Sequence, residues 1–180
     1  MRQNLCFINL EKGGVVGKIL NENLKIKVKT IGVISDTHNL LRPEAVEVLV
    51  NTDLIVHAGD ICNAKILEEL KVLAPVVAVR GNNDQGSWAE DIPVYQSINV
   101  GGILIYVIHD IKELNIYPAP PQTKIVIYGH SHKASTTKRE DILYLNPGSA
   151  GPKRFSLPVS VALLKINEND IDARIIPLMI

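Results

Sequence analysis

One apolar stretch and the polar residues that end it constrain the fold more than any other part of the chain. Residues 30–38 have the sequence TIGVISDTH, and residues 31–35 are mostly apolar and rich in β-branched side chains, which is typical of a buried strand. Asp36 and His38 follow directly, so an oxygen donor and a nitrogen donor lie two residues apart. Chemistry in an open α/β sheet collects at the carboxyl ends of the strands, and this donor pair suits a borderline divalent metal ion.

The segment after this strand alternates predicted helices and strands. Pro43 begins a helix with the sequence PEAVEVLVN, and a second helix with apolar residues at helical spacing covers residues 64–73. One apolar strand precedes Gly59-Asp60, and the next precedes the Gly-Asn-Asn-Asp loop at 81–84. This β-α-β-α-β order predicts parallel strand pairing.

The second half of the chain is richer in strands. A Gly-Gly pair at 101–102 predicts a hairpin, residues 111–116 predict a weak helix or a loop, and an apolar strand precedes residues 129–132. A second hairpin is expected around residues 140–141, and two further strands close the chain around an Asn-Glu-Asn-Asp turn. We therefore expect antiparallel or mixed pairing, with two packed sheets and helices outside them.

Residues 1–29 differ from the rest and are interpreted as an accessory N-terminal arm, which leaves one domain at 30–180. The Gly-Gly pair in FINLEKGGVVGKIL predicts a hairpin within this arm. An arm of this kind can pair with a sheet edge or with a second subunit, so a homodimer is one expectation. The alternative is an upstream extension without a role.

Composition narrows the class of function. The 180 residues carry a formal net charge of zero, which argues against a dedicated nucleic-acid partner. The two cysteines form neither a disulfide framework nor a CxxC metal pair, so a cytoplasmic location is expected. No apolar run reaches the about 18 residues of a spanning helix, so no membrane partner is expected.

Donor groups follow five of the predicted strands. Each of the five histidines taken singly is more often structural than a ligand, but strand ends of one sheet lie side by side. The seven candidate metal ligands are Asp36, His38, Asp60, Asn82, His109, His130 and His132. One metal ion takes about four to six ligands, so seven groups predict two adjacent ions, and a carboxylate such as Asp60 is the natural bridge.

These residues carry a family resemblance. The DxH motif at 36–38, GD at 59–60, GN at 81–82, His109 and GHxH at 129–132 occur in the order found in the calcineurin-like metallophosphoesterases, which the chain resembles from residue 30 to its end. The sequences HAGD and LNPGS resemble the small bacterial and archaeal phosphodiesterase branch of that superfamily. The resemblance implies a four-layer αββα sandwich of two mixed β-sheets flanked by helices.

The resemblance also implies how the ligands divide between two divalent ions. One ion would take Asp36, His38, Asp60 and His132, and the other would take Asp60, Asn82, His109 and His130. Manganese is the favoured metal, with nickel, iron, cobalt or zinc as alternatives for such a nitrogen and oxygen site. Two such ions about 3.5–4 Å apart hold a hydroxide between them at neutral pH. The expected reaction is its attack on a small phosphate ester, most plausibly a diester.

Two positions depart from the family pattern. Asn83 stands where the wider family has a histidine and the small branch has a cysteine, and an amide cannot deliver a proton. We assign Asn83 and Asp84 as candidate catalytic residues, with Asp84 either orienting Asn83 or capping the turn. Asp110 replaces a glycine after His109, where it either hydrogen-bonds a ligand histidine or perturbs the adjacent metal.

Three functions remain open on the sequence. The leading hypothesis is a binuclear metal-dependent phosphodiesterase without a protein nucleophile. The first alternative is a binding scaffold with the same fold and little catalysis, as in the retromer subunit of the superfamily. The second is a nuclease, which the zero net charge and the lack of a basic stripe with aromatic residues disfavour.

Overall fold

The computed structural model describes residues 20–22, 29–154, 156–167 and 170–180. The hairpin expected around the Gly-Gly pair of the N-terminal arm lies outside these residues. The strands are β1 Leu20–Glu22, β2 Lys29–Ile34, β3 Leu54–His57, β4 Val76–Ala78, β5 Tyr95–Val100, β6 Ile103–Ile108, β7 Thr123–Ile127, β8 Ser135–Arg139, β9 Ile142–Asn146, β10 Ser160–Asn167 and β11 Asp170–Pro177. The helices are α1 Pro43–Leu49, α2 Ala64–Leu73, α3 Ser87–Glu90 and a 3₁₀ helix, Ile111–Asn115.

The first sheet contains five strands in the order β11-β10-β2-β3-β4. The predicted β-α-β-α-β pattern is confirmed, because β2, β3 and β4 pair in parallel with α1 and α2 between them. Helix α1 begins with Pro43 in its first turn, and α2 begins after Asn63, whose side chain accepts a hydrogen bond from the backbone of Lys65. Leu49 and Leu70 of these helices are fully buried in an apolar cluster that includes Ile55 of β3.

The second sheet contains six strands in the order β1-β5-β6-β7-β9-β8. Its pairing is mixed, because β6, β7 and β9 are parallel while the hairpins β5–β6 and β8–β9 are antiparallel. Both predicted hairpins are therefore present. Strand β1 pairs in parallel with β5 at the edge of this sheet. The segment predicted as a weak helix or loop is the 3₁₀ helix, and its Leu114 covers the outer face of the sheet beside Tyr106 and Val126.

The main core lies between the two sheets. It is built from alternate apolar residues of both, and its fully buried members include Val33 and Val56 of the first sheet and Ile105 and Ile127 of the second. The two stacked mixed sheets with helical layers outside confirm the predicted αββα fold class, although the layer over the second sheet is thin. No helix within the described part of the chain is long and apolar enough to cross a membrane.

Candidate metal centre

The carboxyl ends of β2, β3, β4, β6 and β7 meet at one rim, where both sheets contribute loops. Backbone hydrogen bonds set the register of these loops. The amide of Asp36 donates to Gly59 O at 3.0 Å, and the amide of His38 donates to Asp60 O at 3.0 Å. The amide of Gly129 donates to His109 O at 2.9 Å within the second sheet. The polar strand ends predicted from the sequence are thus bound to one another through the backbone.

The first group of donors surrounds Asp36. Its Oδ1 lies 3.3 Å from His132 Nε2 and 4.0 Å from His38 Nε2, and the ligand atoms of these three residues all lie within 4.8 Å of one another. Ser35 Oγ donates to the other carboxylate oxygen, Asp36 Oδ2, at 2.7 Å. This leaves Oδ1 of Asp36 buried without a hydrogen-bond partner and directed at the two histidines.

The second group joins Asp36 to Asp60 and His109, whose ligand atoms also lie within 4.8 Å of one another. Asp60 Oδ2 is 3.5 Å from His109 Nε2 and 3.8 Å from His38 Nε2, so this one oxygen lies between the two groups. His109 Nδ1 lies 2.7 Å from Ala58 O and donates a hydrogen bond to it, which directs Nε2 into the site.

Asn82 and His130 extend the second group toward solvent. Asn82 Oδ1 lies 3.2 Å from His109 Nε2 and 3.0 Å from His130 Nδ1. Asp110 Oδ2 lies 3.6 Å from His130 Nε2, and Asp110 Oδ1 accepts from Lys112 N at 3.0 Å. All seven candidate ligands therefore belong to one network of contacts, and Asp110 faces a candidate ligand from outside it.

Two motif glycines are required by close packing rather than by backbone freedom. A Cβ atom at Gly81 would collide with the backbone nitrogen and Oδ1 of Asp60. A Cβ atom at Gly129 would collide with Ser35 Oγ and lie 2.8 Å from Asp36 Oδ2. Only glycine at these two positions lets the neighbouring loops approach the carboxylates this closely.

Backbone strain is concentrated at the same rim. Five of the seven candidate ligands adopt left-handed φ angles between 44° and 64°, a region that non-glycine residues rarely occupy. They are Asp36, His38, Asp60, His130 and His132. Strain of this kind typically persists at ligand-binding and catalytic sites, where the surrounding structure holds it in place.

The electrostatics of the site favour a bound cation. Burial lowers the pKa of His109, but contact with the charge of Asp60 outweighs that effect and raises it to about 9. Burial raises the pKa of Asp60, but His109 and the two Asn83 donors hold it well below its usual range. Burial raises the pKa of Asp36 to about 6. His109 is therefore protonated at neutral pH, and its positive charge lies beside the carboxylates of Asp60 and Asp36.

This donor set fits a divalent metal centre. The Oδ1 of Asp36 is buried without a hydrogen-bond partner and is free to donate to a cation, and Asn82 Oδ1, which can only accept, faces two ring nitrogens. Burial lowers the pKa of His132 to about 4 and also lowers that of His38, so both rings are neutral at pH 7 and have lone pairs to offer. Carboxylate, amide and imidazole donors without a thiolate are typical of first-row divalent ions.

The two candidate catalytic residues occupy the loop after β4. Asn83 is exposed, yet its side-chain amide donates to Asp60 Oδ2 at 2.7 Å and its backbone amide donates to Asp60 Oδ1 at 2.8 Å. Asp84 is buried, and its two oxygens accept from Gly81 N at 2.7 Å and from Cys62 N at 2.6 Å. Asp84 therefore caps its own turn and ties it to the loop after β3, and it makes no contact with Asn83 that would orient it.

Comparison with known proteins identifies the family. The family model of the calcineurin-like phosphoesterase superfamily domain matches residues 30–169. The chain belongs to the calcineurin-like phosphoesterase superfamily. A probable metallophosphoesterase of Methanothermobacter thermautotrophicus is 36% identical over 158 residues, which cover 81% of this chain and 91% of that protein. The resemblance stated from the motifs is confirmed.

Two further relatives of this superfamily member extend the comparison. A phosphodiesterase of Methanocaldococcus jannaschii is 28% identical over 136 residues, covering 66% of this chain and 82% of that protein. The structure of vacuolar protein sorting 29 from Cryptosporidium parvum superposes with a TM-score of 0.73 at 21% identity, covering 84% of this chain and 92% of that chain. The second likeness concerns the fold.

Sequence reasoning missed two residues at the rim of this phosphoesterase site. Arg154 Nη2 lies 3.2 Å from His38 Nε2 although 116 positions separate the residues. Cys62 Sγ lies 3.6 Å from His38 Nδ1, and burial with nearby carboxylates raises the pKa of its thiol to about 11. Neither residue belongs to a motif, and the one local signal for Arg154 is the Lys-Arg pair at 153–154 that follows LNPGS.

Three further residues near the site make structural contacts. Arg42 Nε donates to Gly151 O at 3.0 Å and so fixes the loop that carries Arg154. His57 is fully buried and joins the β2 and β3 ends through Thr37 Oγ1, 3.1 Å from its Nε2. Asn146 donates to Gly129 O at 2.8 Å and supports the GHxH loop.

Proposed function

We propose that this superfamily member is a phosphodiesterase, a phosphoric ester hydrolase that depends on two divalent metal ions. The observation that carries the proposal is the pair of overlapping ligand groups, Asp36 with His38 and His132 and Asp36 with Asp60 and His109. Each group fits one ion, and the relative from M. jannaschii is named a phosphodiesterase.

The proposed ligands divide as the family resemblance implies. Asp36, His38, Asp60 and His132 would hold one ion, and Asp60, Asn82, His109 and His130 would hold the other. Asp60 is the proposed bridge, because its Oδ2 lies within 4 Å of a histidine nitrogen of each set. When bound, the two ions would acidify a water and offset the negative charge of the phosphate.

The chain's own residues would bind and orient the ester. Among the described residues no carboxylate pairs with the Arg154 guanidinium, which stands beside His38 at the mouth of the site. A planar guanidinium without a carboxylate partner suits phosphate oxygens. We propose that Arg154 binds the substrate phosphate.

The nature of the leaving group follows from the loop after β4. Asn83 occupies the position of the family's acid, and its amide has no proton to give. General acid catalysis is typically worth about 10²- to 10⁴-fold. We therefore expect good activity on diesters whose leaving group departs as a stable anion, such as aryl esters, and slow hydrolysis of alkyl esters.

The test is turnover of bis(p-nitrophenyl) phosphate by the purified protein with added manganese. We expect hydrolysis that a chelator removes and that Asp60→Ala abolishes, because Asp60 Oδ2 lies within 4 Å of a histidine nitrogen of each proposed ligand set. Asp172→Ala on β11, whose carboxylate pairs with Arg174 outside the candidate ligand groups, is the matched control and should keep wild-type turnover. Near-normal turnover by a folded Asp60→Ala protein would exclude the bridge.

A nickel, iron, cobalt and zinc series belongs to the same experiment, because the donor set accepts each of them. Manganese is the metal we propose. Absence of turnover with every divalent ion would instead favour the second candidate, a binding scaffold. The specific observation behind that candidate is Asn83, which leaves the leaving group without a proton donor. The homodimer, the cytoplasmic location and the division at residue 30 stay predictions.

A further inference from the structure

The side chain of Asn83 lies at an exposed position but contacts the proposed bridging carboxylate. Its Nδ2 donates to Asp60 Oδ2 at 2.7 Å, while its backbone nitrogen donates to Asp60 Oδ1 at 2.8 Å. Both oxygens of one carboxylate are therefore held by a single residue. Two hydrogen bonds from one residue to the two oxygens of a carboxylate restrict its rotation and so fix its orientation.

The rest of the loop makes the arrangement rigid. Asp84 ties the loops after β3 and β4 together through Cys62 N and Gly81 N, at 2.6 Å and 2.7 Å. Gly81 packs so closely on Asp60 that a Cβ atom there would collide with it. The backbone of Asn83 is consequently fixed beside Asp60, and the side-chain amide is the one part of the contact that a substitution can remove.

We infer that Asn83 is a positioning residue for Asp60, through which it sets the affinity of both metal ions, and that it is not a group that touches the substrate. This inference rests on the proposed function, in which Asp60 bridges the ions. A carboxylate held at both oxygens cannot rotate, so metal binding costs less orientational freedom. Partners of metal ligands typically change metal affinity by 10- to 100-fold when they are removed.

This role of Asn83 explains how the chain can lack the histidine of the wider family at this position and still keep the candidate metal centre. A histidine at this position also carries a δ-nitrogen, at the same place along the side chain as Asn Nδ2. Asn83 retains that δ-nitrogen donor toward Asp60 and lacks the outer ring nitrogen that could reach a leaving group. The contact with the metal ligand is kept, and the proton donor is lost.

Isothermal titration with manganese in the absence of substrate tests this role. Asn83→Leu keeps the shape of the side chain and the backbone donor but removes the amide. We expect its manganese affinity to fall by about 10- to 100-fold, with kcat at saturating manganese within a few-fold of the wild type. Asn83→His keeps a δ-nitrogen donor and should restore most of the affinity.

The controls separate the two proposals. Asn99→Leu removes another side-chain amide, on the β5–β6 hairpin and outside the metal centre, and should bind manganese as the wild type does. Wild-type manganese affinity in Asn83→Leu, with a raised KM or a lowered kcat at saturating metal, would overturn the inference and assign Asn83 to the substrate. A wild-type protein that binds no divalent ion would overturn the proposed function itself.

Discussion

The two halves of the candidate metal centre differ in how deeply the fold buries them. Asp36 is fully buried and His132 is only 9% exposed, because the loops of both sheets close over them. On the other half His109 is only 3% exposed, but the side chain of His130 is 42% exposed and Asn82 is exposed as well. A buried ligand set is pre-oriented and shielded from water, so we expect the half around Asp36 to bind its ion more tightly.

The half around Asp36 is also the one supported by more of the chain. Ser35 and Ser149 donate to the Oδ2 and the backbone oxygen of Asp36, at 2.7 Å and 3.0 Å. His130 has Asp110 as a neighbour at 3.6 Å, a distance that suits charge attraction rather than a hydrogen bond. The fold therefore fixes the donors around Asp36 with more hydrogen bonds than it gives to His130.

The largest expected effect comes from removing one ligand from each half. Asp36→Asn removes a ligand of the buried half and a carboxylate beside Asp60 and His109, so we expect the first ion to be lost and turnover to fall below detection. His130→Ala should keep the first ion and lose the second, with a loss of turnover on the order of 10²- to 10³-fold, as for other electrostatic groups. Metal content by mass spectrometry checks both.

Loss of both ions in each of the two variants would break the comparison between the halves. It would mean that the two ions bind together and that the burial of each half does not determine its metal affinity. The Asp172→Ala protein serves again as the reference for metal content.

A smaller effect is expected from Arg154, which stands on the buried half. Arg154→Met keeps the length of the side chain and removes the guanidinium. We expect a KM for the diester raised about 10- to 100-fold, since a charge-assisted contact is worth about 1.5–3 kcal/mol, with kcat little changed. Steady-state kinetics at saturating manganese provides the measurement. Arg139→Met, on β8 beside Tyr144, is the matched control.

Two other outcomes would contradict the proposed role of Arg154 in binding the substrate phosphate. A fall in kcat with unchanged KM would show that the guanidinium acts only in the transition state. Unchanged kinetics would remove Arg154 from the site altogether.

The smallest effect is expected from His57, which lies behind the buried half. Gly59 N donates to its Nδ1 at 3.2 Å, so the proton is on Nε2, which donates to Thr37 Oγ1. Burial lowers the pKa of His57 to about 3, whereas an unfolded histidine titrates near 6.5. Between pH 6.5 and 3 the unfolded state therefore binds a proton on His57 that the folded state does not bind. The free energy of unfolding decreases as the pH falls through this window.

Denaturant unfolding of the metal-free protein at pH 7 and pH 5 measures this contribution of His57 to the free energy of unfolding. His57 should contribute a loss of roughly 2 kcal/mol between the two values, because the unfolded pKa lies about 1.5 units above pH 5. His57→Gln cannot titrate and should lose correspondingly less stability, whatever its stability at pH 7. An identical pH dependence in both proteins would show that His57 does not stay neutral.

Much of the fold was predictable because its signals are local. The helices at 43–49 and 64–73 follow from Pro43, from the Asn63 cap and from apolar spacing, and the hairpin at 101–102 follows from its Gly-Gly turn. The segment 111–115 stayed ambiguous between helix and loop because prolines limit it to a single 3₁₀ stretch capped by Asp110. Strand β1 lies in the N-terminal arm, for which the sequence predicted only the hairpin around the Gly-Gly pair.

The chain's own order of apolar strands and polar strand ends determined the layered α/β architecture and the identities of the donors at the rim. Tertiary structure alone decided which oxygen of Asp36 stays unpartnered, that Asn83 turns onto Asp60, and that Arg154 reaches His38. Hydrophobic periodicity and turn chemistry act over a few residues, whereas these contacts join positions far apart in the chain. They exist only once two sheets have stacked and their loops have met, and the left-handed strain at Asp60 and its neighbours is held in place by that packing.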